Sequence, residues 1–447
     1  MARYVSNNRT WQLPPGVRID SSVEHPGEDR IDLSVILPNH MERTCPHCGS
    51  HRCVIKDSGK SRTVRHVPAA NRSVFVTFHQ RRFLCKECGS SYYEPVEWVH
   101  DRLHMTNTLI ADICLQLTEM VSVQEIAKKE LVPDDVVFSV FDIITVRPPE
   151  TLPHVLCMDE FKGDTGVRDP ETKRWVTNKF QCNITDGTAK VLIDVLPVIN
   201  QEYLVSYFMR YSKDERSKVE YVCCDMHSGF IGVAKICFPN AVICLDSFHV
   251  VNRLNDAMDE IRRRIQNELA ESEDSNGNAK YLKDSAYILK TKESNKARLW
   301  GTQYTKKQAR LETILDLYPD ISEMYDRLQE YLAIIDMASY AQKRVQFTDW
   351  LHRATSSDVP EIKSAANTLQ HYRGYIQNTW NRGGHTNGIA EGLNNKIKVY
   401  KRISYGLRSF ENLRKRLLLV CGSIHLDHSL SSTFNQILDE KKGAIEL

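Results

Sequence analysis

Apolar and polar residues alternate near the start of the chain. Between residues 45 and 95 the segments TVRHV, SVFVTFH and RRFLC alternate, which is the period of a half-buried β-strand. The preceding residues 1–40 are polar and contain PPG and HPGED, so we expect a loosely ordered lead-in with a short helix near Asp32. The alternating segments predict a small, separate β module.

The period becomes helical from residue 106 to residue 144. The runs NTLIADICLQLTEM, SVQEIAKKEL and PDDVVFSVFDIIT follow one another, with Ser122 and Pro133 as start signals. Three helices with a short middle turn predict a helix-turn-helix. The third helix carries acidic residues and no Lys or Arg. Two roles therefore stay open for it: it reads a DNA groove, or it packs against another helix or forms a dimer contact.

The pattern changes again at about residue 155. Five apolar runs predict strands: HVLCMDEF, WVTNKFQCNIT, KVLIDVLPV, EYVCCDMHS and AVICLDSF. Helical runs precede the fourth and fifth strands, and this order predicts a mixed α/β sheet. From Val250 to about Trp380 the runs are amphipathic and helical without a strand signal, and the final segment is helical again.

The composition is that of an ordinary globular protein. With 447 residues the chain is long enough for two or three domains, and its 41% hydrophobic and 26% charged residues argue against disorder. The N-terminus lacks an apolar signal core and the apolar runs are too short to span a bilayer, so we expect a cytoplasmic protein. The thirteen cysteines are odd in number and scattered, which favours reduced thiols.

The charge is nearly balanced over the chain but not within it. The formal net charge is +2, whereas residues 51–82 contain eight Lys or Arg and one acid, and residues 386–416 contain eight Lys or Arg and two acids. Two basic segments are typical of a protein with two DNA contact regions, although solvated faces also collect charge.

Two C-x-x-C pairs stand out among the cysteines. The pairs are CPHC, with Cys45 and Cys48, and CKEC, with Cys85 and Cys88. Each is followed by a glycine that permits a tight turn, and two such knuckles bring four sulfurs around one structural zinc ion. A redox dithiol would need one pair rather than two. The weaker alternatives as ligands are Cys53, His47, His51 and His66. The basic strands between the knuckles either grip phosphates or form a solvated hairpin.

Acidic residues follow two of the predicted strands. Asp159 ends VLCM and Asp225 ends VEYVCC, so parallel neighbouring strands would bring both carboxylates to one edge, where they can share divalent cations. Acids after strands are also common turn formers, so a third acid is needed. The candidates are Glu160, Asp246 and Glu391. Glu160 points to the opposite side of the strand from Asp159, and Asp246 precedes a helix and suits its N-cap.

Glu391 lies at the head of the basic run HTNGIAEGLNNKIKVYKR. A helix that starts near Asn387 has one polar face, formed by Glu391, Asn395, Lys398 and Arg402. A carboxylate, an amide and two cations in a row suit a metal ligand followed by groups that hold a phosphate backbone. The alternative is an ordinary amphipathic surface helix.

These motifs together resemble the DDE transposases of the bacterial insertion-sequence family ISL-three (ISL3). The string TNGIAEGLNNKIKVYKRISYGLRSF resembles the glutamate-bearing block of that family, and MDEF, CDMHSGF and FPNAVICLDSFHVVNRL resemble its other blocks in the same order. The cysteine pairs and the three helices match the family's N-terminal layout. The resemblance extends from Cys45 to about Cys421.

The resemblance implies a ribonuclease-H-like catalytic domain interrupted by an all-helical insertion. It maps Asp159, Asp225 and Glu391 onto the family's acidic triad, and Asp246 with His249 onto a D-x-FH block that supports the site in a role left open. It implies two magnesium or manganese ions at the triad, one structural zinc ion, and double-stranded DNA as the partner. A homodimer and a bacterial, nucleoid-associated location follow by analogy.

The chain is thus expected to form seven segments. They are a lead-in (1–40), a zinc-binding module (41–98), a helix-turn-helix domain (99–147), the first part of the ribonuclease-H-like domain (148–250), the helical insertion (251–383), the last catalytic helices (384–425) and a C-terminal tail (426–447). Trp350, in FTDWLHRA, either stacks on an unpaired base at a transposon end or lies in the core of the insertion.

The expected function is transposition of DNA. The protein would bind terminal inverted repeats, cleave phosphodiester bonds by two-metal-ion catalysis and join the 3′-hydroxyl ends to target DNA. The residues expected to contact DNA are Asn395, Lys398, Arg402 and Trp350. The alternatives are a non-catalytic zinc-ribbon and helix-turn-helix DNA-binding regulator, and a metal-dependent nuclease without strand transfer.

Overall fold

The computed structural model describes most of the chain. The described residues are 11–38, 44–146, 148–163, 166–168, 175–271, 276–381, 387–404 and 409–422. The first ten residues of the predicted lead-in and the predicted tail (426–447) lie outside them. The chain divides into two compact units, one formed by Met1–Pro148 with Lys396–Leu447 and the other by Pro149–Asn395. No helix in the described ranges is long and apolar enough to cross a membrane.

A seven-stranded sheet dominates the first unit. Its strands are β1 (Arg18–His25), β2 (Arg30–Ile36), β3 (Cys53–Ala69), β4 (Arg72–Cys85), β5 (Ser91–Tyr93), β6 (Val99–His100) and β7 (Met105–Thr106). The order is β1-β2-β4-β3-β7-β6, with β5 paired to β4. Cys53 is opposite Cys85 in the long β3–β4 hairpin, and this pairing brings the two C-x-x-C knuckles together at one end of the sheet.

The predicted short helix near Asp32 is wrong, because this segment is strand β2. Ile31, Leu33 and Val35 are buried and alternate with more exposed residues, which is the period of a strand. The polar stretch HPGED forms the turn between β1 and β2, where Asp29 adopts a φ of +46°. Residues 18–36 therefore belong to the sheet rather than to a loose lead-in.

Three helices follow the sheet in the first unit. They are α1 (Asn107–Gln116), α2 (Val123–Lys129) and α3 (Asp134–Ile143). Ser122 caps α2 by accepting a hydrogen bond from the backbone N–H of Glu125, and Pro133 is the N-cap residue of α3. Both predicted start signals and the three-helix pattern are thus confirmed.

A five-stranded mixed sheet forms the centre of the second unit. Its strands are β8 (Val155–Lys162), β11 (Phe180–Asp186), β12 (Val191–Leu196), β13 (Tyr221–Cys224) and β14 (Val242–Leu245). The order is β12-β11-β8-β13-β14, in which β11 is antiparallel to β12 and β8, and β13 is parallel to β8 and β14. The predicted mixed sheet is confirmed. The separate strands β9 (Gly166–Arg168) and β10 (Trp175–Thr177) pair with each other, so WVTNKFQCNIT is two strands rather than one.

Helices occupy the rest of the second unit. Helices α4 (Gln201–Met209), α5 (Lys213–Ser217) and α6 (Ser228–Cys237) lie between the last strands in sequence. The helices after β14 are α7 (Ser247–Ala270), α8 (Asn276–Lys283), α9 (Ala286–Leu289), α10 (Lys296–Trp300), α11 (Tyr304–Leu317), α12 (Pro319–Asp336), α13 (Tyr340–Thr355), α14 (Pro360–His371), α15 (Arg373–Trp380), α16 (Gly388–Ile403) and α17 (Phe410–Cys421). The prediction of a stretch without strands is confirmed over the described residues.

Helix α15 covers part of the edge strand β14. The side-chain amide of Asn378 donates to the carbonyl oxygen of Ile243 at 2.9 Å, and the hydroxyl of Thr379 donates to that of Leu245 at 2.7 Å. These side chains occupy backbone acceptors that an uncovered edge would leave to solvent. They also fix the end of β14 directly before Asp246.

Trp350 lies in the core of the helical region. Its side chain is 1% exposed and packs against Tyr331 and Phe347, and its Nε1 donates to the carbonyl oxygen of Arg327 at 2.8 Å. The expectation that Trp350 stacks on an unpaired base is therefore wrong, since the indole is enclosed by protein. The alternative, a core tryptophan with its N–H satisfied, is confirmed.

Helix α17 packs with the three helices of the first unit. Leu419 belongs to their apolar core, and the guanidinium of Arg416, only 1% exposed, donates to carbonyl oxygens in the turn that follows α1 (117–121). Carbonyls at a helix end lack partners within the helix, so the buried cation satisfies them. This packing differs from the predicted grouping of all of 384–425 with the catalytic domain.

Candidate active site

Two aspartates lie side by side where the pairing of two parallel strands ends. Met158 on β8 is opposite Cys224 on β13, so the next residues, Asp159 and Asp225, emerge together. Their ligand oxygens and a ring nitrogen of His249 lie within 4.8 Å of one another. The predicted juxtaposition of the two carboxylates is confirmed. Strand β8 itself continues beyond Asp159, because β11 pairs with it on the other side.

The aspartate pair is unfavourable when both groups are charged. Both side chains are buried, and this burial together with the charge of Asp225 raises the pKa of Asp159 to about 8. A bound divalent cation would compensate the two negative charges and the lost hydration. Buried carboxylate oxygens from rigid strands therefore fit magnesium or manganese, which prefer hard oxygen ligands.

His249 and Asp246 belong to the start of α7. Asp246 is the N-cap residue and accepts a hydrogen bond from the N–H of Phe248 at 3.1 Å. The sequence predicts this capping role. The Nε2 of His249 lies 2.8 Å from Oδ1 of Asp225 and 3.9 Å from Oδ2 of Asp246. Burial lowers the pKa of His249, but its hydrogen bond to Asp225 and the surrounding carboxylates outweigh burial and raise the pKa to about 9. A protonated imidazole thus offsets part of the negative charge.

The first turns of α16 contact both aspartates through asparagine side chains. The Nδ2 of Asn394 donates to Oδ2 of Asp159 at 2.7 Å. The Nδ2 of Asn387 donates to the carbonyl oxygen of Met158 at 3.3 Å and lies 3.5 Å from Oδ1 of Asp225. Asn387 and Asn394 are about two helical turns apart. Glu391 lies between them on the same side of the helix.

Glu391 is half-buried and lies near Asp246. Burial raises the pKa of Asp246, and the charges of Asp225 and Glu391 add to this effect. Among the residues described at this site, the groups within mutual ligand distance are Asp159, Asp225 and His249, and Glu391 is not one of them. The structure therefore places Glu391 beside the cluster, and its role as the third metal ligand stays a prediction.

Small side chains lie under α16 on the sheet. Cys157, Cys223 and Cys244 are opposite one another on β8, β13 and β14, and Ala390 of α16 is buried against them. This row of cysteines and the alanine leave little side-chain bulk between helix and strands, so the asparagines can reach the aspartates. The three cysteines are buried, and their reduced state stays a prediction.

Three asparagines near the acids are not among the residues that the sequence predicts for the site: Asn183, Asn387 and Asn394. Asn183 lies opposite Asp159 on β11, is fully buried, and donates to Oδ1 of Asn394 at 2.6 Å. The available signal was the spacing of seven residues between two asparagines with an acid between them. A polar stripe of this kind is equally typical of a solvated helix face, so the spacing alone does not identify these contacts.

The residues predicted to hold DNA are exposed on α16. Asn395, Lys398 and Arg402 are open to solvent, whereas Leu393 and Ile397 are buried. The predicted division of this helix into polar and apolar faces is confirmed for these residues. Their contact with DNA stays a prediction.

The four cysteines of the knuckles form a second cluster. The Sγ atoms of Cys45, Cys48, Cys85 and Cys88 lie within 4.8 Å of one another. The glycine after each knuckle has a φ of +71° or +72°, which confirms the predicted tight turns. Side-chain and backbone hydrogen bonds from Ser90 lower the pKa of Cys88 to about 6, which favours its thiolate. A backbone hydrogen bond from Ser50 lowers the pKa of Cys48, but the neighbouring thiols and burial outweigh it and raise this pKa. Four soft sulfur donors at this spacing fit a tetrahedral zinc ion.

Two of the weaker candidates for zinc have other partners. The thiol of Cys53 donates to the carbonyl oxygen of Ser50, and both ring nitrogens of His66 make hydrogen bonds, one with the hydroxyl of Thr106 and one with the carbonyl oxygen of Trp11. The group of sulfurs within ligand distance is that of the four cysteines that the spacing predicted.

Comparisons with known proteins match the two parts of the chain in which the clusters lie. Residues 156–417 match a family model described as "Transposase", that of the ISL3 transposases, and residues 42–88 match the "zinc-finger of transposase IS204/IS1001/IS1096/IS1165". The chain is 25% identical over 397 residues to the transposase for insertion sequence element IS1001 of Bordetella parapertussis, covering 87% of this chain and 91% of that one. It is 23% identical over 245 residues to the transposase for insertion sequence element IS1557 of Mycobacterium tuberculosis, covering 52% of this chain and 54% of that one. The first family match spans more than half of the chain, and the chain therefore belongs to the ISL3 family of transposases.

Proposed function

We propose that this protein is a DDE-type transposase that binds transposon ends, cleaves phosphodiester bonds by two-metal-ion catalysis and transfers the 3′-hydroxyl ends to target DNA. The observation that carries the proposal is the buried pair of Asp159 and Asp225, whose oxygens lie within 4.8 Å in a chain of a transposase family. The similarity to the IS1001 transposase over most of both chains supports it.

The catalytic domain is proposed to have a ribonuclease-H-like fold with an all-helical insertion. The order of its sheet supports this, because three antiparallel strands are followed by two parallel ones, with Asp159 on β8 and Asp225 directly after β13. The helices between Asp246 and α16 account for the long separation of Glu391 from Asp225 in sequence.

Asp159, Asp225 and Glu391 are proposed to hold two magnesium or manganese ions. When bound, such ions lower the pKa of an attacking water or 3′-hydroxyl and stabilise the leaving oxygen. The two aspartates supply hard oxygen ligands from rigid strands, and Glu391 supplies a third carboxylate from a helix that Asn387 and Asn394 attach to β8.

His249 is proposed to act on Asp225 rather than on DNA. Its hydrogen bond of 2.8 Å fixes the orientation of the Asp225 carboxylate, and its positive charge offsets the buried acids before a cation binds. Asp246, which caps α7, holds the turn that carries His249 in place.

The DNA is proposed to contact both basic parts of the chain. Lys398 and Arg402, with Asn395 beside them, would hold phosphates near the scissile bond, since exposed cations on a helix neutralise the backbone. The zinc module, with one structural zinc ion, and the three helices α1–α3, as a helix-turn-helix, would bind the terminal inverted repeats. Two ends must meet in one complex, so a homodimer is part of the proposal.

The test is an analysis of the products made by the purified protein. A labelled duplex that ends in a terminal inverted repeat, taken from the DNA beside the gene, is incubated with Mg²⁺ and a supercoiled plasmid. We expect cleavage at the repeat, a free 3′-hydroxyl, and its joining to the plasmid. Cleavage without joining would indicate a metal-dependent nuclease without strand transfer. DNA binding without cleavage in Mg²⁺ or Mn²⁺ would indicate a non-catalytic DNA-binding regulator.

A further inference from the structure

We infer that Asn394, itself held by Asn183, is a positioning residue that fixes the carboxylate of Asp159 for cation binding. The inference rests on the proposed function, because it assigns these amides a task at the proposed metal site. It concerns two residues on different elements, one on helix α16 and one on strand β11.

The contacts form a chain of hydrogen bonds that ends at the carboxylate. The hydroxyl of Thr185 donates to Oδ1 of Asn183 at 3.3 Å, and Nδ2 of Asn183 donates to Oδ1 of Asn394 at 2.6 Å. The Nδ2 of Asn394 then donates to Oδ2 of Asp159 at 2.7 Å and to the carbonyl oxygen of Glu160 at 3.0 Å. Thr185 and Asn183 are 0% exposed and Asn394 is 6% exposed, so water does not compete with these bonds.

The chain determines which end of the Asn394 amide meets Asp159. Because Oδ1 of Asn394 accepts a hydrogen bond from Asn183, its NH₂ group must point to the carboxylate. A reversed amide would place its oxygen against the carboxylate oxygen of Asp159 and its NH₂ group against the NH₂ group of Asn183, so both hydrogen bonds would be lost. Asn183 therefore keeps Asn394 in the orientation that donates to a charged aspartate.

The carboxylate of Asp159 is held at both oxygens. Its Oδ2 accepts the bond from Asn394, and its Oδ1 accepts a bond from the backbone N–H of Glu160 at 2.8 Å. Each carboxylate oxygen can accept two bonds, so each keeps a lone pair for a cation. A neutral amide achieves this without bringing a positive charge that would repel the cation, and such supporting bonds tune affinity at metal sites.

The experiment measures binding of Mn²⁺ to the full-length protein by electron paramagnetic resonance, without DNA. We compare wild type with Asn394→Ala, Asn183→Ala and the double variant. Loss of a supporting hydrogen bond at a metal site weakens binding about 10–100-fold, and we expect this for Asn394→Ala. The double variant should bind no more weakly than Asn394→Ala alone, because Asn183 acts through Asn394.

The control separates positioning from loss of stability. Asn200→Ala removes an amide that caps α4 by accepting the N–H of Tyr203, in the same unit, and should lower stability while leaving the Mn²⁺ affinity unchanged. Should Asn394→Ala fail to fold, Asn183→Ser serves instead, since a serine is too short to reach Asn394. It should also weaken Mn²⁺ binding, and unchanged affinity there overturns the inference.

The outcomes distinguish this inference from the proposed function. If Asp159→Asn abolishes Mn²⁺ binding and Asn394→Ala binds like wild type, the positioning role is overturned and the metal site stands. If wild type binds no Mn²⁺, or Asp159→Asn binds like wild type, the metal site itself is wrong, and the inference falls with it.

Discussion

The Nε2 of His249 lies 2.8 Å from Oδ1 of Asp225, within a cluster of buried acids. Burial lowers the pKa of His249, but the contact with Asp225 and the other carboxylates raise it to about 9. Burial and the charge of Asp225 raise the pKa of Asp159 to about 8. In the metal-free protein both groups therefore bind a proton more tightly in the folded state than in the unfolded chain.

We expect the metal-free protein to lose stability as the pH rises. The contribution of His249 is fully present below its unfolded pKa of 6.5 and is lost as the pH rises through about 9. Asp159 acts in the same direction, since the folded state keeps its proton from about pH 4 up to about pH 8. Urea unfolding in EDTA near pH 6 and near pH 9 measures the loss, and added Mg²⁺ should restore stability most at the higher pH.

The variant His249→Gln is the control for this pH dependence. It removes the titrating imidazole while keeping a polar side chain, so its stability in EDTA should vary less between the two pH values. An equal pH dependence in the variant and in wild type would contradict the assigned role of His249.

Zinc should bind to the four cysteines in a ratio of one ion per chain. Replacing Cys88 by serine removes one of four thiolate ligands, so the ion should be lost and the zinc module should unfold at a lower temperature. Elemental analysis of the purified protein measures the zinc content. Cys53→Ser is the matched control, because the thiol of Cys53 bonds to a carbonyl oxygen outside the cluster. A zinc-free Cys53→Ser protein would contradict the assignment.

Replacing Trp350 by alanine should destabilise the helical region. The substitution removes a fully buried ring and its hydrogen bond to Arg327, and such changes cost about 3–5 kcal/mol. Trp350→Phe should cost less, because most of the packing survives. Urea unfolding measures the loss, and binding of the folded variants to transposon-end DNA should match wild type. A Trp350→Ala protein with the stability of wild type but without DNA binding would contradict the core role and support base stacking by Trp350.

Replacing Lys398 and Arg402 together by alanine should weaken DNA binding in a salt-dependent way. Both side chains are exposed on α16, and each phosphate contact adds about 0.9 to the slope of log affinity against log salt. The double variant should therefore reduce the magnitude of this slope by about 2. Fluorescence anisotropy at several salt concentrations gives the slope. The variant Lys283→Ala, on helix α8, changes one exposed lysine outside the predicted contact and serves as the comparison. An unchanged slope in the double variant would exclude these contacts.

The sequence predicted the elements that follow a clear hydrophobic period. Local patterns were sufficient for the two strands that lead to Asp159 and Asp225, and for the N-caps at Ser122 and Asp246. They were also sufficient for the cysteine cluster, and the structure confirms each of these predictions. The prediction of a helix near Asp32 was wrong because it followed the polar residues of the neighbouring turn. The short alternation of apolar residues, which indicates a strand, was the better signal.

The asparagine contacts could not be predicted from local patterns. The bond between Asn183 and Asn394 joins residues that are far apart in sequence, and its burial depends on how closely α16 approaches the sheet. The stacking role of Trp350 failed for a related reason, because one tryptophan in an amphipathic helix has the same local pattern whether it is buried or exposed. Long-range packing decides both cases.

The most direct test of the proposed function is cleavage of transposon-end DNA by the variant Glu391→Gln in Mg²⁺. Glutamine keeps the size of the side chain and the position of α16 but removes the charge that a metal ligand needs. Wild type should cleave at the repeat, and Glu391→Gln, like Asp159→Asn and Asp225→Asn, should lose cleavage while still binding the same DNA. A Glu391→Gln protein that cleaves its transposon ends at the wild-type rate would contradict the assignment of Glu391 as the third acid of the site.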